Sequence, residues 1–169
     1  MRYVRESATA SDGGFGKVVL EGATNVDAVL LNEDTGLAVL FEAKVLSDIS
    51  SHTSYDAARN QLARNVDVML EANDTLADPL CRRRVESSFL VLVTPEMFRA
   101  PASRSSRLYG VKYDLYKSDA AALAADLPHR NAQPSDWRET ARRMGWATWE
   151  DFRRVDAQCC LWLPGRPPA

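Results

Sequence analysis

The feature that most constrains the fold is a pair of apolar, strand-length segments joined by a short polar turn. Residues 25–31 (NVDAVLL) and 37–44 (LAVLFEAK) flank the polar stretch 32–36 (NEDTG), which ends in glycine. Two strands with so short a connection pair as an antiparallel hairpin, since parallel strands need a long crossover. Because both segments are almost wholly apolar, we expect them to lie in a sheet that is covered on both faces.

Charged residues interrupt the two apolar segments at three points. Asp27 lies within the first segment, and Glu42 and Lys44 end the second. Residues two apart on a strand project to the same face, so Glu42 and Lys44 share a face. A turn centred near Asp34 places Asp27 opposite roughly Glu42. We therefore expect two carboxylates and an amine to converge at one edge of the sheet.

Two close carboxylates repel each other, so such a pair is not expected for stability alone. A divalent cation between them would resolve the repulsion. Mg²⁺ takes oxygen ligands and is commonly held by one or two carboxylates together with waters. A bound metal polarises a phosphoryl oxygen and lowers the pKa of a bound water. A lysine beside it can orient the attacking water or stabilise the charge that develops on the phosphate. The pattern predicts a Mg²⁺ site in which Mn²⁺ can substitute.

Composition places the chain among ordinary globular proteins. Its 169 residues predict one domain, 1–169, and no apolar run approaches the ~20 residues of a membrane span. The N-terminus has no secretory signal pattern, so we expect a cytoplasmic protein without a membrane partner. The three cysteines fit no disulfide or zinc pattern, and the net charge of −2 gives no overall attraction to nucleic acid.

The remaining pattern predicts further strands and helices around the hairpin. A glycine turn precedes a strand at 17–22, a helix follows at 53–71, and a buried strand at 88–94 stops before Pro95. The C-terminal third predicts a helix at 118–127 capped by Ser118 and another at 135–144 ended by Gly145. A last helix begins near Thr148 at capping-box spacing. We expect the tryptophans of this region to form the core of the helical pair.

The spacing of the charged residues resembles the PD-(D/E)XK signature of restriction-endonuclease-like nucleases. Val26-Asp27, a gap of 14 residues and then Glu42-Ala43-Lys44 follow that signature, with valine in place of the proline. The helix that follows is similar to the Q-x-x-R helix of several of these families, and the stretch 41–69 resembles an uncharacterised bacterial group among them. The resemblance covers about 17–94. It implies an α/β fold with an αβββαβ core, a mixed central sheet flanked by helices, and a helical C-terminal elaboration at about 118–160.

The same resemblance implies a role for each matching residue. Asp27 and Glu42 would ligate the metal together with the Ala43 carbonyl, and Lys44 would serve the attacking water. On the helix, Gln61 would position the lysine or a phosphate, and Arg64 would hold the substrate backbone. An accessory acid could come from Glu6 or Glu21.

A basic stretch with interleaved tyrosines offers a second candidate contact with substrate. Within residues 99–117, the cations expected to bind phosphates are Arg104, Arg107 and Lys112. Tyrosines at 109, 113 and 116 could stack on unpaired bases. An ordinary exposed hairpin explains the same pattern equally well.

Taken together, these patterns predict a Mg²⁺-dependent deoxyribonuclease. Water would attack the phosphodiester in line and leave 5′-phosphate and 3′-hydroxyl ends, as the resemblance implies. The alternative is a non-catalytic nucleic-acid-binding or assembly module on the same fold. Both a monomer and a homodimer are compatible with the sequence.

Overall fold

The computed structural model of the protein describes residues 26–49, 60–76, 78–130 and 136–164. The strand predicted at 17–22 and the first part of the helix predicted at 53–71 lie outside these ranges. So do the two candidate accessory acids, Glu6 and Glu21.

A four-stranded mixed sheet forms the centre of the described structure. Its strands are β1 (Ala28–Asn32), β2 (Leu37–Ala43), β3 (Ser88–Thr94) and β4 (Met144–Thr148), and they lie in the order β1-β2-β3-β4. β1 runs antiparallel to β2, whereas β2 and β3, and β3 and β4, are parallel. The predicted α/β class, the hairpin, the mixed sheet and the strand at 88–94 are therefore confirmed.

The turn of the hairpin depends on Gly36. Its N–H donates to the carbonyl of Asn32 at 2.8 Å, and its φ of 70° lies in the left-handed region that favours glycine. A Cβ at this position would lie 2.6 Å from Cγ of Arg84. The turn thus closes β1 onto β2 with Ala28 opposite Phe41 as the last pair of the ladder.

Helices cover both faces of the sheet. Alternate β2 residues, among them Leu40, are buried in the main core with apolar side chains of helix α1 (Gln61–Leu70). On the opposite face Phe41 contacts Phe152 of the C-terminal helix α6 (Trp149–Val155), with ring centroids 6.3 Å apart. The expectation that both hairpin strands are buried is wrong for β1, where Leu30 is 60% exposed. β1 ends the described sheet and has only one neighbouring strand there, so its side chains have fewer partners.

Helix α1 begins later than the sequence pattern predicts. Asn60 has extended backbone, and its side-chain oxygen accepts hydrogen bonds from the N–H groups of Leu62 and Ala63. Asparagine competes in this way for backbone donors, so it starts helices rather than continuing them. The helix that carries Gln61 therefore starts at Gln61, and it ends at Leu70, close to the predicted end.

The C-terminal third differs most from the predicted arrangement. The helix predicted at 135–144 is the shorter α5 (Trp137–Arg142), and the residues after it form strand β4, which contains Gly145. The elaboration at 118–160 is therefore not purely helical, and the two helices around Gly145 are separated by a strand. Trp146 lies on that strand. The predicted capping box between Thr148 and Asp151 is confirmed at the start of α6.

The segment before this region is helical rather than a hairpin. After the short α2 (Glu96–Arg99), residues 108–118 form α3 (Leu108–Ser118), followed by α4 (Ala120–Ala125). Ser118 is the last residue of α3, and Asp119 caps α4 in its place by accepting from the Ala121 N–H at 2.9 Å. Single 3₁₀ turns occupy Asn73–Thr75, Leu80–Arg82, Val85–Ser87, Arg104–Ser106 and Pro128–Arg130. Within the described ranges, every helix is too short or too polar to cross a bilayer.

Candidate active site

The two hairpin acids lie side by side at one end of the sheet. The backbone N–H of Asp27 donates to the Phe41 carbonyl at 3.0 Å, and its carboxylate accepts from the Ala43 N–H at 2.7 Å. The β1–β2 ladder ends at the pair Ala28 and Phe41, and the Asp27 carboxylate just beyond it lies close enough to Glu42 for its charge to raise the pKa of that carboxyl. Asp27 is exposed, whereas Glu42 is 0% exposed.

Both oxygens of the buried Glu42 carboxylate contact polar side chains. Nζ of Lys44 lies 2.6 Å from Oε1, and Nδ2 of Asn65 donates to Oε2 at 2.5 Å. Lys44 reaches Glu42 because alternate residues at the end of β2 share a face. Asn65 reaches it because α1 packs over that face and turns this side chain toward the strand.

The electrostatics of the site centre on Glu42. Burial raises the pKa of Glu42 above its ordinary value, and the charge of Asp27 adds to the rise. The hydrogen bond and charge of Lys44 act in the opposite direction, as does the hydrogen bond from Asn65. An ionised carboxylate in this position depends on those two partners, because an isolated buried charge is strongly unfavourable.

Comparison with known proteins does not identify the site. No protein-family model, curated protein or solved structure matches this chain.

Helix α1 supplies the remaining predicted residues and one that the sequence pattern did not place in the site. Gln61 and Asn65 are one helical turn apart and share a face, and Arg64 lies beside them. Gln61 and Arg64 are half-buried. Asn65 is fully buried and is the residue of this helix that touches Glu42. Its sequence signal was its position, with Gln61, at the edge of the apolar face of the helix, from which both side chains could point toward the strand ends.

Two buried oxygens of the site have few partners within the described part of the chain. Oε1 of Glu42 has only its ion-pair contact with Lys44, and Oδ1 of Asn65 is buried without a partner. Oxygens of this kind suit a hard cation such as Mg²⁺. Among the described residues, no three His, Cys, Asp or Glu side chains converge, so Asp27 and Glu42 form a pair of acids.

The predicted phosphate-binding cations occupy helix α3 and the turn before it, where each has a partner. Arg104 forms an ion pair with Asp114 at 3.0 Å, and Lys112 forms one with Asp126 at 2.8 Å. The guanidinium of Arg107 lies 4.7 Å from the centroid of the Phe98 ring. Of these three cations, Arg107 is the one that has no acid at ion-pair distance within the described ranges.

Arg107 is also connected to the loop that follows β2. It precedes α3, whose first two N–H groups donate to the Asp48 carboxylate at 2.7 and 3.2 Å. Asp48 is four residues after Lys44, a chain length that spans at most about 14 Å. The start of α3 is therefore joined to the segment that follows the acidic pair.

The tyrosines of this segment do not form a stacking platform. Tyr109 and Tyr116 are each 0% exposed and belong to the main core. Tyr113 packs against Trp146 with ring centroids 5.1 Å apart. Their spacing of four and three residues places one side of α3 in the core, so these rings stabilise the fold instead of facing solvent.

Proposed function

We propose that this protein is a Mg²⁺-dependent phosphodiesterase that acts on DNA, with a restriction-endonuclease-like site. The observation that carries the proposal is that Asp27, Glu42 and Lys44 lie together at the open end of the β1–β2 hairpin, with the Lys44 ammonium 2.6 Å from Glu42 and the Asp27 carboxylate bonded to the Ala43 N–H. This is the arrangement that the resemblance to PD-(D/E)XK nucleases requires. The antiparallel and parallel pairings of β2 with its neighbours are compatible with the αβββαβ core of that superfamily.

The residues present fit a divalent cation. Asp27 offers an exposed carboxylate, and Glu42 offers an oxygen whose only partner among the described residues is the Lys44 ammonium. These two residues would hold Mg²⁺ or Mn²⁺, with the Ala43 carbonyl as a further ligand by resemblance. When bound, the cation would polarise a phosphoryl oxygen and lower the pKa of a coordinated water.

The protein groups around the acids have separable roles in this proposal. Lys44 would hold the attacking water or stabilise the developing phosphate charge, because its ammonium already lies beside the acidic pair at 2.6 Å from Glu42. Asn65 would keep Glu42 in place through its 2.5 Å hydrogen bond. Gln61, one turn earlier on the same helix face, would orient Lys44 or a phosphate oxygen. Arg64 would contact the DNA backbone.

The DNA would approach along the side on which the start of α3 lies. Arg107 is the strongest candidate for a phosphate contact there, because it adjoins the N–H groups that bind Asp48 and carries no ion pair to a described acid. Arg104 and Lys112 would contribute positive potential while remaining paired with Asp114 and Asp126. With the tyrosines buried, the proposed contact is with the phosphate backbone rather than with stacked bases.

One observation favours a second candidate, a non-catalytic nucleic-acid-binding module. Lys44 and Asn65 already satisfy the buried Glu42 carboxylate without a cation. A site that is neutralised by its own lysine can serve as a structural ion pair. Metal binding separates the two functions, because the module would bind DNA and take up no Mg²⁺ or Mn²⁺.

The proposal is tested by cleavage of supercoiled plasmid and single-stranded DNA with Mg²⁺ or Mn²⁺. Asp27→Asn is the most informative variant, because Asp27 is exposed and asparagine can still accept the Ala43 N–H. Asp34→Asn makes the same change at an exposed position of the hairpin turn and is the matched control. We expect Asp27→Asn and Lys44→Met to reduce cleavage at least 100-fold and the control to retain it.

Calorimetric titration of Mn²⁺ completes the test. We expect the wild type and Asp34→Asn to bind the cation and Asp27→Asn to bind it at least tenfold more weakly. Equal cleavage by all four proteins would refute the site. DNA binding without any cation binding would establish the module instead.

A further inference from the structure

The backbone of Lys44 is held from both sides by residues far away in sequence. The β2–β3 ladder ends at the pair Ala43 and Val93, and the Lys44 N–H still donates to the Val93 carbonyl at 2.8 Å. The Lys44 carbonyl lies beyond the ladder. It accepts the indole N–H of Trp149 at 2.8 Å, across 105 residues of chain.

Trp149 is itself firmly placed at the start of α6. Thr148 and Asp151 form a capping box around it, in which each accepts a backbone N–H of the other. The indole ring also packs against Phe152 and Trp162, with centroid separations of 6.2 and 5.6 Å. A helix terminus fixed in this way can hold a hydrogen-bond donor in one position.

We propose that Trp149 is a positioning residue for Lys44: its indole N–H fixes the main chain from which the Lys44 side chain reaches Glu42. The inference rests on the proposed function, because it assigns to the C-terminal helix a part in aligning the lysine of the site. The region that resembles known nucleases ends near residue 94, so this contact comes from outside it.

The geometry gives the contact more than a packing role. Two hydrogen bonds of 2.8 Å, one at the N–H and one at the carbonyl, fix both peptide groups of Lys44. The direction of the Cα–Cβ bond is then set, and the ammonium arrives 2.6 Å from Oε1 of Glu42. Losing the carbonyl partner would let the peptide plane after Lys44 rotate, and displacements of about 1 Å at a reacting group can reduce rates about 100-fold.

The chain offers a closely matched control for this inference. Trp149→Phe removes the indole N–H while keeping an aromatic ring against Phe152 and Trp162. Trp146→Phe removes an indole hydrogen bond of nearly the same length, 2.9 Å to Thr94, which does not involve Lys44. Both variants lose one hydrogen bond of the same chemistry, so their difference isolates the contact with Lys44.

Two measurements on the full chain test the assignment. In protein labelled with ¹³C-lysine, which has only four lysines to resolve, we expect the Lys44 carbonyl and Cε resonances to shift in Trp149→Phe and to stay in place in Trp146→Phe. In plasmid cleavage with Mn²⁺, we expect kcat to fall at least tenfold in Trp149→Phe only. KM and the Mn²⁺ dissociation constant should remain within twofold of wild type, since the acids are untouched.

The outcomes separate this inference from the proposed function. Unchanged Lys44 resonances, or a kcat equal to that of Trp146→Phe, would overturn the positioning role while the nuclease stands. If the wild type cuts no DNA, the proposed function fails, and Lys44 shifts confined to Trp149→Phe still support the role of Trp149 in placing that lysine.

Discussion

The hydrogen bond between Asn65 and Glu42 gives the sharpest prediction for the stability of the site. Both side chains are 0% exposed, and their atoms Nδ2 and Oε2 lie 2.5 Å apart. Hydrogen bonds to charged groups contribute about 1.5–3 kcal/mol. Because water does not screen this pair, we expect a coupling energy of about 2 kcal/mol, toward the middle of that range.

A double-mutant cycle measures this coupling directly. Asn65→Leu leaves Oε2 of Glu42 buried without a donor, whereas Glu42→Leu with Asn65→Leu replaces both polar partners by apolar ones. The effect on Lys44 of losing Glu42 is the same in Glu42→Leu and in the double variant, so it cancels in the cycle. We expect Asn65→Leu to reduce the free energy of unfolding much less in the Glu42→Leu background than in the wild type, as measured by urea denaturation at pH 7.

The pH dependence of the coupling gives a second, independent criterion. Burial already raises the pKa of Glu42 above the ordinary 4.5, and loss of the Asn65 donor raises it further. Below 4.5 the carboxyl is protonated in both the folded and unfolded states, so Asn65 has little charge to stabilise there. As the pH rises, the unfolded carboxyl ionises in both proteins alike, so the penalty in Asn65→Leu grows only between the pKa of the folded wild-type carboxyl and the higher pKa of the folded variant, and is constant above both. A coupling energy below about 0.5 kcal/mol at pH 7, or a penalty equal at pH 4 and pH 8, would refute this account.

Two further predictions concern buried polar groups outside the site. Asp67 is buried against Arg130 and His129, and these partners outweigh its burial and lower its pKa from 3.8 to about 2. The free energy of unfolding of the wild type should therefore fall by about 2 kcal/mol as the pH falls from about 4 to 2. Asp67→Asn should lack this acid-dependent loss when both proteins are unfolded with urea across that pH range. Parallel pH profiles for the two proteins would contradict the assignment. Tyr116 donates to Asp126 and accepts the Asn60 amide at 2.5 Å. Tyr116→Phe should lower the free energy of unfolding by about 1–2 kcal/mol. Tyr113→Phe loses only a 3.4 Å contact with the Met144 carbonyl and should lower this free energy much less. Equal losses in the two variants would show that the hydrogen bonds of the Tyr116 hydroxyl do not stabilise the fold.

The hairpin was predictable because its determinants are local. The length of the turn, its glycine and the alternation of side chains along β2 are all contained in one short stretch of sequence. Since these features set the register, they also bring Asp27 beside the end of β2 and place Glu42 and Lys44 on a shared face. The placement of the three residues follows from the same local pattern.

Strand β4 was not predictable by the same reasoning. Its sequence, MGWAT, contains a glycine and follows directly after helix α5, so it reads as the end of a helix. It becomes a strand because it pairs in parallel with β3, with Met144 opposite Leu90. Parallel partners far apart in sequence leave no local signal that identifies them.

The segment 99–117 did contain a helical signal that its charges obscured. Tyrosines at 109, 113 and 116 recur at helical spacing, which predicts one buried side of a helix. The alternation of cations and aromatic rings instead suggested an exposed surface for nucleic acid. The sequence also contains the acids that neutralise Arg104 and Lys112. The ion pair between Lys112 and Asp126, however, depends on the packing of α3 against the turn after α4.

The same packing explains why the site has parts that sequence alone could not join. Glu42 is too deeply buried to remain charged without a counter-ion, and Lys44 supplies one at 2.6 Å. Under the proposed function, a cation that binds Glu42 and Asp27 would take over this neutralisation, so the Lys44 ammonium would become available to water or phosphate. That exchange aligns the lysine only if its main chain stays fixed while its side chain moves. The hydrogen bonds that join the Lys44 N–H to Val93 and the Lys44 carbonyl to Trp149 meet that requirement. The proposed chemistry therefore depends on Trp149, 105 residues away, as well as on the hairpin.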